Sequence, residues 1–137
     1  MSKELKDEAL KAIRFYISEL SPGIVSVKEQ NKSFGTIVDI KPMNKNGCDI
    51  SFCLGDHGTF DVGCGKWFNF ENLPLSKDYV IDICDSIRKG QVKIKVWEWK
   101  GWTFRTEGVI DLSNRYLCDK NVGPKLGKVR EIIIEPW

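Results

Sequence analysis

The sequence predicts an α+β fold, in which a twisted antiparallel β-sheet carries an N-terminal helix and a second helix packed on one face. Two segments, residues 3–20 and 77–89, have apolar side chains at helical spacing. The remaining apolar segments alternate as strands do, in the order α-β-β-β-β-α-β-β-(β)-β, which lacks the βαβ alternation of a parallel sheet. A chain of 137 residues fits one globular domain, spanning residues 1–137.

The first helix, residues 3–20, has one apolar stripe, and Ser21-Pro22-Gly23 ends it. Phe15 lies off this stripe and is left for contact with a second element. The stripe consists of Leu5, Ala9, Ala12, Ile13, Tyr16, Ile17 and Leu20.

Four strands follow the helix. Residues 24–30 and 34–40 form the first pair, and residues 48–54 and 60–64 form the second. Even-numbered positions are apolar in both strands of the second pair. They share a face only if the connecting loop has an odd number of residues, either three (55–57) or five (55–59).

Residues 65–75 fit a short strand that runs into a loop closed by Pro74. Ser76 is a good N-cap for the second helix, residues 77–89, which ends at Gly90. The buried stripe of this helix is Val80, Ile83, Cys84 and Ile87, and its solvated face is Asp78, Asp82, Asp85 and Arg88.

The longest strand-like run, residues 92–112, contains three of the five Trp residues and reads as a hairpin turned by Lys100-Gly101. A two-residue loop predicts three cross-strand pairs on one face: Trp99 with Trp102, Trp97 with Phe104, and Lys95 with Thr106. The opposite face would then hold Val92, Ile94, Val96, Glu98, Thr103, Arg105, Glu107 and Val109.

This aromatic face has two interpretations. It packs under a helix and stabilises the sheet through cross-strand pairs, or part of it stays exposed as a recognition surface. After the hairpin, residues 113–127 are predicted to be irregular, and residues 129–135 form a last strand.

Composition and charge describe a globular protein without a membrane segment. Hydrophobic residues make up 42% of the chain and charged residues 29%, and no apolar run approaches the roughly 20 residues of a membrane span. The net charge of +2 is uneven, because residues 1–87 carry 10 basic and 13 acidic side chains and residues 88–137 carry 11 and 6. The first 15 residues have no signal-peptide core, so we expect a cytoplasmic protein.

The five cysteines are scattered, and in a cytoplasmic chain they are expected to be reduced thiols. Part of their spacing invites a zinc site, but tight C-x2-C turns are absent and Cys53 alternates away from Cys48 and Cys64. We therefore expect the cysteines to be buried apolar residues. They are Cys48, Cys53, Cys64, Cys84 and Cys118.

Catalytic and cofactor motifs do not emerge either. The segment 63–66 (GCGK) resembles a phosphate-binding loop, but Phe60 stands where glycine is needed and Trp67 where Ser or Thr is needed. His57, the only histidine, fits a polar turn better than a Cys-His catalytic pair. We predict no catalytic residue, no cofactor and no metal.

The function class that remains is binding, with a protein as the predicted partner and no membrane attachment. Nucleic acid is the alternative, because aromatic side chains on strands can stack on unpaired bases while Lys and Arg contact phosphates. A small enzyme is the least favoured class. Both hypotheses use the same predicted partner-binding residues: Lys93, Lys95, Trp97, Trp99, Lys100, Trp102 and Phe104.

In size, α+β order and richness in cysteine and aromatic residues, the chain resembles the small cytoplasmic immunity proteins with which bacteria neutralise toxins of contact-dependent and other interbacterial competition systems. The resemblance implies a tight stoichiometric complex that covers a toxin's active site. Immunity proteins against basic nuclease toxins are usually acidic, whereas this chain is slightly basic. The resemblance therefore implies a toxin that is acidic or is not a nuclease.

Overall fold

The computed structural model of the chain describes residues 2–65, 68–112, 116–121 and 127–137, and it has the predicted α+β architecture. The two helices and nine strands of the described residues follow in chain order: α1 (Ser2–Ser18), β1 (Val25–Lys32), β2 (Gly35–Pro42), β3 (Ile50–Gly55), β4 (Thr59–Cys64), β5 (Phe68–Pro74), α2 (Lys77–Arg88), β6 (Val92–Trp99), β7 (Trp102–Asp111), β8 (Tyr116–Asn121) and β9 (Lys128–Ile132).

The strands form two antiparallel sheets, with strand order β1-β2-β3-β4-β5 in the first and β8-β7-β6-β9 in the second. Antiparallel pairing is confirmed, whereas the division into two sheets was not anticipated. The prediction of an irregular segment at 113–127 is wrong at Tyr116–Asn121, because this strand pairs with β7 along the sheet edge. The last strand is shorter than predicted and ends at Ile132.

Alternation along β3 and β4 places their even-numbered residues in the core, as predicted. Leu54 pairs with Phe60, so five residues lie between them and the odd-loop condition is confirmed. The Phe60 ring meets the Tyr79 ring of α2 edge-on, with centroids 5.5 Å apart. The inner faces of both sheets and the apolar stripes of both helices therefore share one cluster of buried side chains.

Helix α2 begins and packs as predicted. The Ser76 hydroxyl accepts a hydrogen bond from the Tyr79 backbone N–H at 3.1 Å, which satisfies one of the unpaired donors of the first turn. The four predicted stripe residues are fully buried, namely Val80, Ile83, Cys84 and Ile87.

Asp85 departs from its predicted place on the solvated face of α2. Its carboxylate is half-buried and accepts hydrogen bonds from the Tyr16 hydroxyl of α1 at 2.6 Å and from Lys89 Nζ, also at 2.6 Å. Helical periodicity places Asp85 beside the buried stripe, where the neighbouring helix covers it. The side chain thus joins the two helices.

Two of the cysteines also depart from the prediction. Cys48 and Cys64 form a disulfide, with their Cα atoms 6.1 Å apart, so the expectation of reduced thiols is wrong for this pair. The physical reason is that both lie on the inner face at the same end of the β3–β4 pair, next to Ile50. Cys53 and Cys84 are free thiols, and the side chain of Cys118 lies outside the described residues.

Candidate partner-binding surface on the second sheet

The hairpin of β6 and β7 turns at Lys100-Gly101, as predicted. Both residues have positive φ, 48° and 81°, which is the conformation that a two-residue type I′ turn requires. Trp99 and Trp102 consequently pair directly across the turn, and this pair is confirmed. We name Trp99, Lys100, Gly101 and Trp102 the hairpin tip.

A β-bulge just below the hairpin tip changes the rest of the register. Trp97 pairs with Arg105 and Glu98 pairs with Thr103, so Phe104 is an extra residue on β7. The predicted pairing of Trp97 with Phe104 is therefore wrong. A bulge inserts one residue into one strand, which moves every later side chain to the other face.

The bulge also overturns the predicted pairing of Lys95 with Thr106. Lys95 pairs with Glu107, and Thr106 pairs with Val96 on the inner face, where only 7% of it is exposed. The bulge also transfers three β7 residues from the predicted inner face to the outer face, where they pair with Lys93, Lys95 and Trp97. These residues are Arg105, Glu107 and Val109.

The outer face therefore carries both signs of charge around Trp97. The Arg105 guanidinium lies 5.7 Å from the centroid of the Trp97 ring and forms an ion pair with Glu107 at 2.6 Å. The ladders of β6 place Lys95 opposite Glu107 on one side and opposite Glu131 of β9 on the other. Carboxylates thus accompany the cations along the sheet.

The two indoles of the hairpin tip are largely accessible. Trp99 is 55% exposed and Trp102 is 72% exposed. Lys100 Nζ lies 4.6 Å from the centroid of the Trp99 ring, a cation–π distance. Monomeric proteins scatter single apolar residues over their surfaces, but two adjacent indoles on a turn form a patch.

The structure distributes the seven predicted partner-binding residues between two levels of exposure. Trp97 and Phe104 are half-buried, so their rings contribute to the sheet as well as to the surface. The exposed members are Lys93, Lys95, Trp99, Lys100 and Trp102.

Sequence reasoning missed the contribution of the chain beyond β8 to this surface. Val129 pairs with Trp97 across β6 and β9 and is 57% exposed, and Ile133, just beyond β9, is 80% exposed. Their apolar character was visible, but the predicted topology did not specify which strand pairs with β6. The signal that could have found them is the alternation of Val129 with charged neighbours.

Other candidate chemistry is dispersed. His57 is exposed in the β3–β4 turn, and Cys53 lies on the opposite face of β3 from the Cys48–Cys64 bridge. Burial, reinforced by the charge of Asp61, raises the pKa of the Cys53 thiol and disfavours a nucleophilic thiolate. Within the described ranges, no three side chains of His, Cys, Asp or Glu are grouped so that they could hold a metal ion.

Comparisons of the chain with protein-family models, with curated proteins and with solved structures find no match. Neither α1 nor α2, the helices of the described residues, has the length and apolar character needed to cross a membrane.

Proposed function

We propose that the chain is a non-catalytic protein-binding domain that seats its partner on the hairpin tip. The observation that carries the proposal is the exposure of Trp99 and Trp102, paired across a two-residue turn with positive φ at both turn positions. Trp is enriched among the interface residues that dominate binding free energy. A short turn that holds two indoles ready also loses little conformational entropy when a partner binds.

The area of the tip is sufficient for an anchor but not for a whole interface. Burying a large apolar side chain contributes roughly 1.5–3 kcal/mol. Two indoles therefore supply a hot spot, and the surrounding contacts must come from the outer face of β6, β7 and β9. The exposed side chains next to the tip on that face include Lys95, Val129 and Glu131.

The mixed charge of the outer face favours a protein partner over nucleic acid. A nucleic-acid surface presents cations with few carboxylates, because each phosphate repels a carboxylate. Here Glu107 engages Arg105, and Glu131 lies opposite Lys95. Nucleic-acid binding through the Trp and Lys side chains remains the second hypothesis, supported by the cation–π position of Lys100.

Within protein binding, we infer an immunity or inhibitor function: a bacterial cytoplasmic protein that neutralises a toxin by a tight stoichiometric complex. The support is the resemblance in size, element order and aromatic content, together with the exposed tip. Disulfides such as Cys48–Cys64 are rare in reducing compartments, so the support for a cytoplasmic location is the resemblance and not the cysteines.

The test begins with a tagged pull-down from the native organism, with and without nuclease treatment. The dissociation constant for the recovered protein is then measured for the wild type, Trp102→Ala and a matched control, Phe34→Ala, which removes an aromatic ring that is 55% exposed in another turn. We expect Trp102→Ala to weaken binding by about 2 kcal/mol, roughly 30-fold, with an unchanged thermal midpoint.

Two results would contradict the proposal. Equal losses of affinity for Trp102→Ala and Phe34→Ala would show that the tip is not the anchor. Recovery of nucleic acid in place of a protein, with an affinity that falls steeply with salt, would favour the second hypothesis. Trp97→Ala serves as a structural comparison, because loss of this half-buried ring should lower the thermal midpoint.

A further inference from the structure

A groove runs between α1 and α2. It consists of two adjoining cavities of about 760 Å³ and about 470 Å³, and both are lined by Ala12 of α1 and Ile81 of α2. We name this feature the interhelical groove. The small side chain of Ala12 leaves the floor open between the helices.

The smaller cavity of the interhelical groove is mainly apolar. Phe15, Tyr16 and Leu20 line it, and Phe15 is 68% exposed. Phe15 lies off the apolar stripe of α1 and was expected to contact a second element. Its ring lies instead at the edge of an open groove. Exposure of a large aromatic side chain to water is unfavourable, and in this position only a second molecule could cover the ring.

The larger cavity is acidic. Asp78 and Asp82, one helical turn apart on α2, line it, and neither side chain has an ion pair or hydrogen bond with another described residue. Asp85 also lines it, but its carboxylate is engaged by Tyr16 and Lys89. Glu19 adds a further carboxylate at the smaller cavity, so the groove carries four acidic side chains against Lys77 and Arg88.

We propose that the interhelical groove docks a basic amphipathic helix of a partner protein. An apolar side chain of that helix would cover Phe15 and fill the space above Ala12, while its Lys or Arg side chains would face Asp78 and Asp82. Helix-in-groove recognition uses apolar anchors spaced at i, i+3 and i+4, and a third helix laid on a helix pair has this periodicity.

The spacing of the carboxylates supports a helical occupant. Residues four apart on a helix are separated by about 6 Å along its axis, at 1.5 Å per residue. Asp78 and Asp82 therefore match a pair of cations at i and i+4 on the occupant. An extended basic peptide would place alternate side chains about 6.6–7 Å apart, but it would present only every second residue to the groove.

The interhelical groove is independent of the hairpin tip. Its lining comes from α1, α2 and the residues that flank them, and it includes no residue of β6, β7 or β9. The outcome of one proposal therefore leaves the other standing, and the chain would have two separate docking surfaces.

The test uses three synthetic helical peptides as probes: an amphipathic Leu/Lys peptide, its Leu/Glu counterpart and a scrambled Leu/Lys sequence of the same composition. Binding of each labelled peptide to the intact chain is measured by fluorescence anisotropy. We expect the Leu/Lys helix to bind at least about tenfold more tightly than the other two, because only it combines an apolar stripe with the complementary charge.

Substitutions in the chain then locate the site. Phe15→Ala should weaken binding of the Leu/Lys helix about tenfold, and Asp82→Lys should weaken it about fivefold at low salt. Their matched controls, Phe34→Ala and Glu71→Lys, remove an exposed aromatic ring and reverse an exposed charge elsewhere, and should change affinity less than about twofold.

Three outcomes would overturn the proposal. The first is no preference for the Leu/Lys helix, and the second is an equal loss of affinity for the controls and for the groove variants. The third is loss of peptide binding in Trp102→Ala but not in Phe15→Ala, which would assign the peptide to the hairpin tip. Thermal midpoints confirm folding of each variant, and Phe15 and Asp82 are accessible enough to be replaced without emptying the core.

Discussion

The hydrogen bond between Tyr16 and Asp85 gives the most direct test of how contacts between α1 and α2 stabilise the fold. Tyr16→Phe removes one hydroxyl and keeps the ring, so the loss of the 2.6 Å bond is isolated from packing. Hydrogen bonds to charged groups contribute about 1.5–3 kcal/mol. Asp85 keeps its bond to Lys89 and its side chain is 31% exposed, so we expect a loss near the lower limit, about 1.5 kcal/mol.

The same bond makes the effect depend on pH. Burial alone would raise the pKa of Asp85, but the hydrogen bonds from Lys89 and Tyr16 and the nearby cations hold that pKa below its ordinary value. A carboxyl group whose folded-state pKa is lowered contributes stability above its unfolded pKa of about 3.9, and this stability is lost as pH falls through the folded value. The cost of Tyr16→Phe should therefore shrink in acid.

The assay is urea unfolding of the wild type and Tyr16→Phe at pH 7 and at pH 3 and below, with linear extrapolation to water. Below the folded pKa the hydroxyl donates to a neutral carboxyl group, so we expect about 0.5–1 kcal/mol there. Asp85→Asn completes a double-mutant cycle. A cost below about 0.5 kcal/mol at pH 7, or a cost that does not change with pH, would refute the role assigned to Asp85.

Two further predictions concern the disulfide and the hairpin turn. Reducing Cys48–Cys64, which are 16 residues apart, should lower the free energy of unfolding by about 3 kcal/mol in urea titrations; a double Cys→Ala variant that ignores reductant is the control, and equal stability of oxidised and reduced protein would contradict the bridge. Gly101→Ala should cost roughly 1 kcal/mol, because φ is +81° although no atom lies within 4 Å of the new methyl group; an unchanged thermal midpoint would refute this assignment.

Periodicity predicted the elements in which one face is buried and the other is not. The spacing of apolar residues was sufficient to predict the stripe of α2 and the shared face of β3 and β4. A shift of one residue in either case would take apolar side chains out of the core. For the same reason the odd-loop condition between Leu54 and Phe60 follows from the sequence alone. β8 was missed because its sequence, three apolar residues followed by three polar ones, does not alternate.

The bulge in β7 was beyond the alternation pattern, but the sequence contained a warning. A regular two-residue hairpin placed Arg105 and Glu107 on the same face as the Ile94 and Val96 stripe. Two charged side chains against a core stripe are unfavourable, and a shift of one residue at Phe104 relieves this by moving both outward and Thr106 inward. Polarity of the partner strand would have predicted the shift.

The cysteines illustrate a different limit. Alternation correctly placed Cys48 and Cys64 in the core, but their chemical state was inferred from the compartment rather than from geometry. Proximity on one face of adjacent strands permits a bridge whatever the expected compartment. The prediction that Asp85 is solvated was wrong for a related reason, because helical periodicity identifies a face of the helix but not the neighbouring element that covers it.

The bulge also explains why the indoles of the hairpin tip are not buried in the core. Below it, the inner face of β6 and β7 is closed by Val96 and Thr106, and above it Glu98 and Thr103 occupy that face. The core therefore ends before the turn, and the last residues of the hairpin extend past it. Trp99 and Trp102 lie in this overhanging part, where large apolar side chains contribute little to folding. The exposed area of both rings supports the proposal that a partner protein binds there.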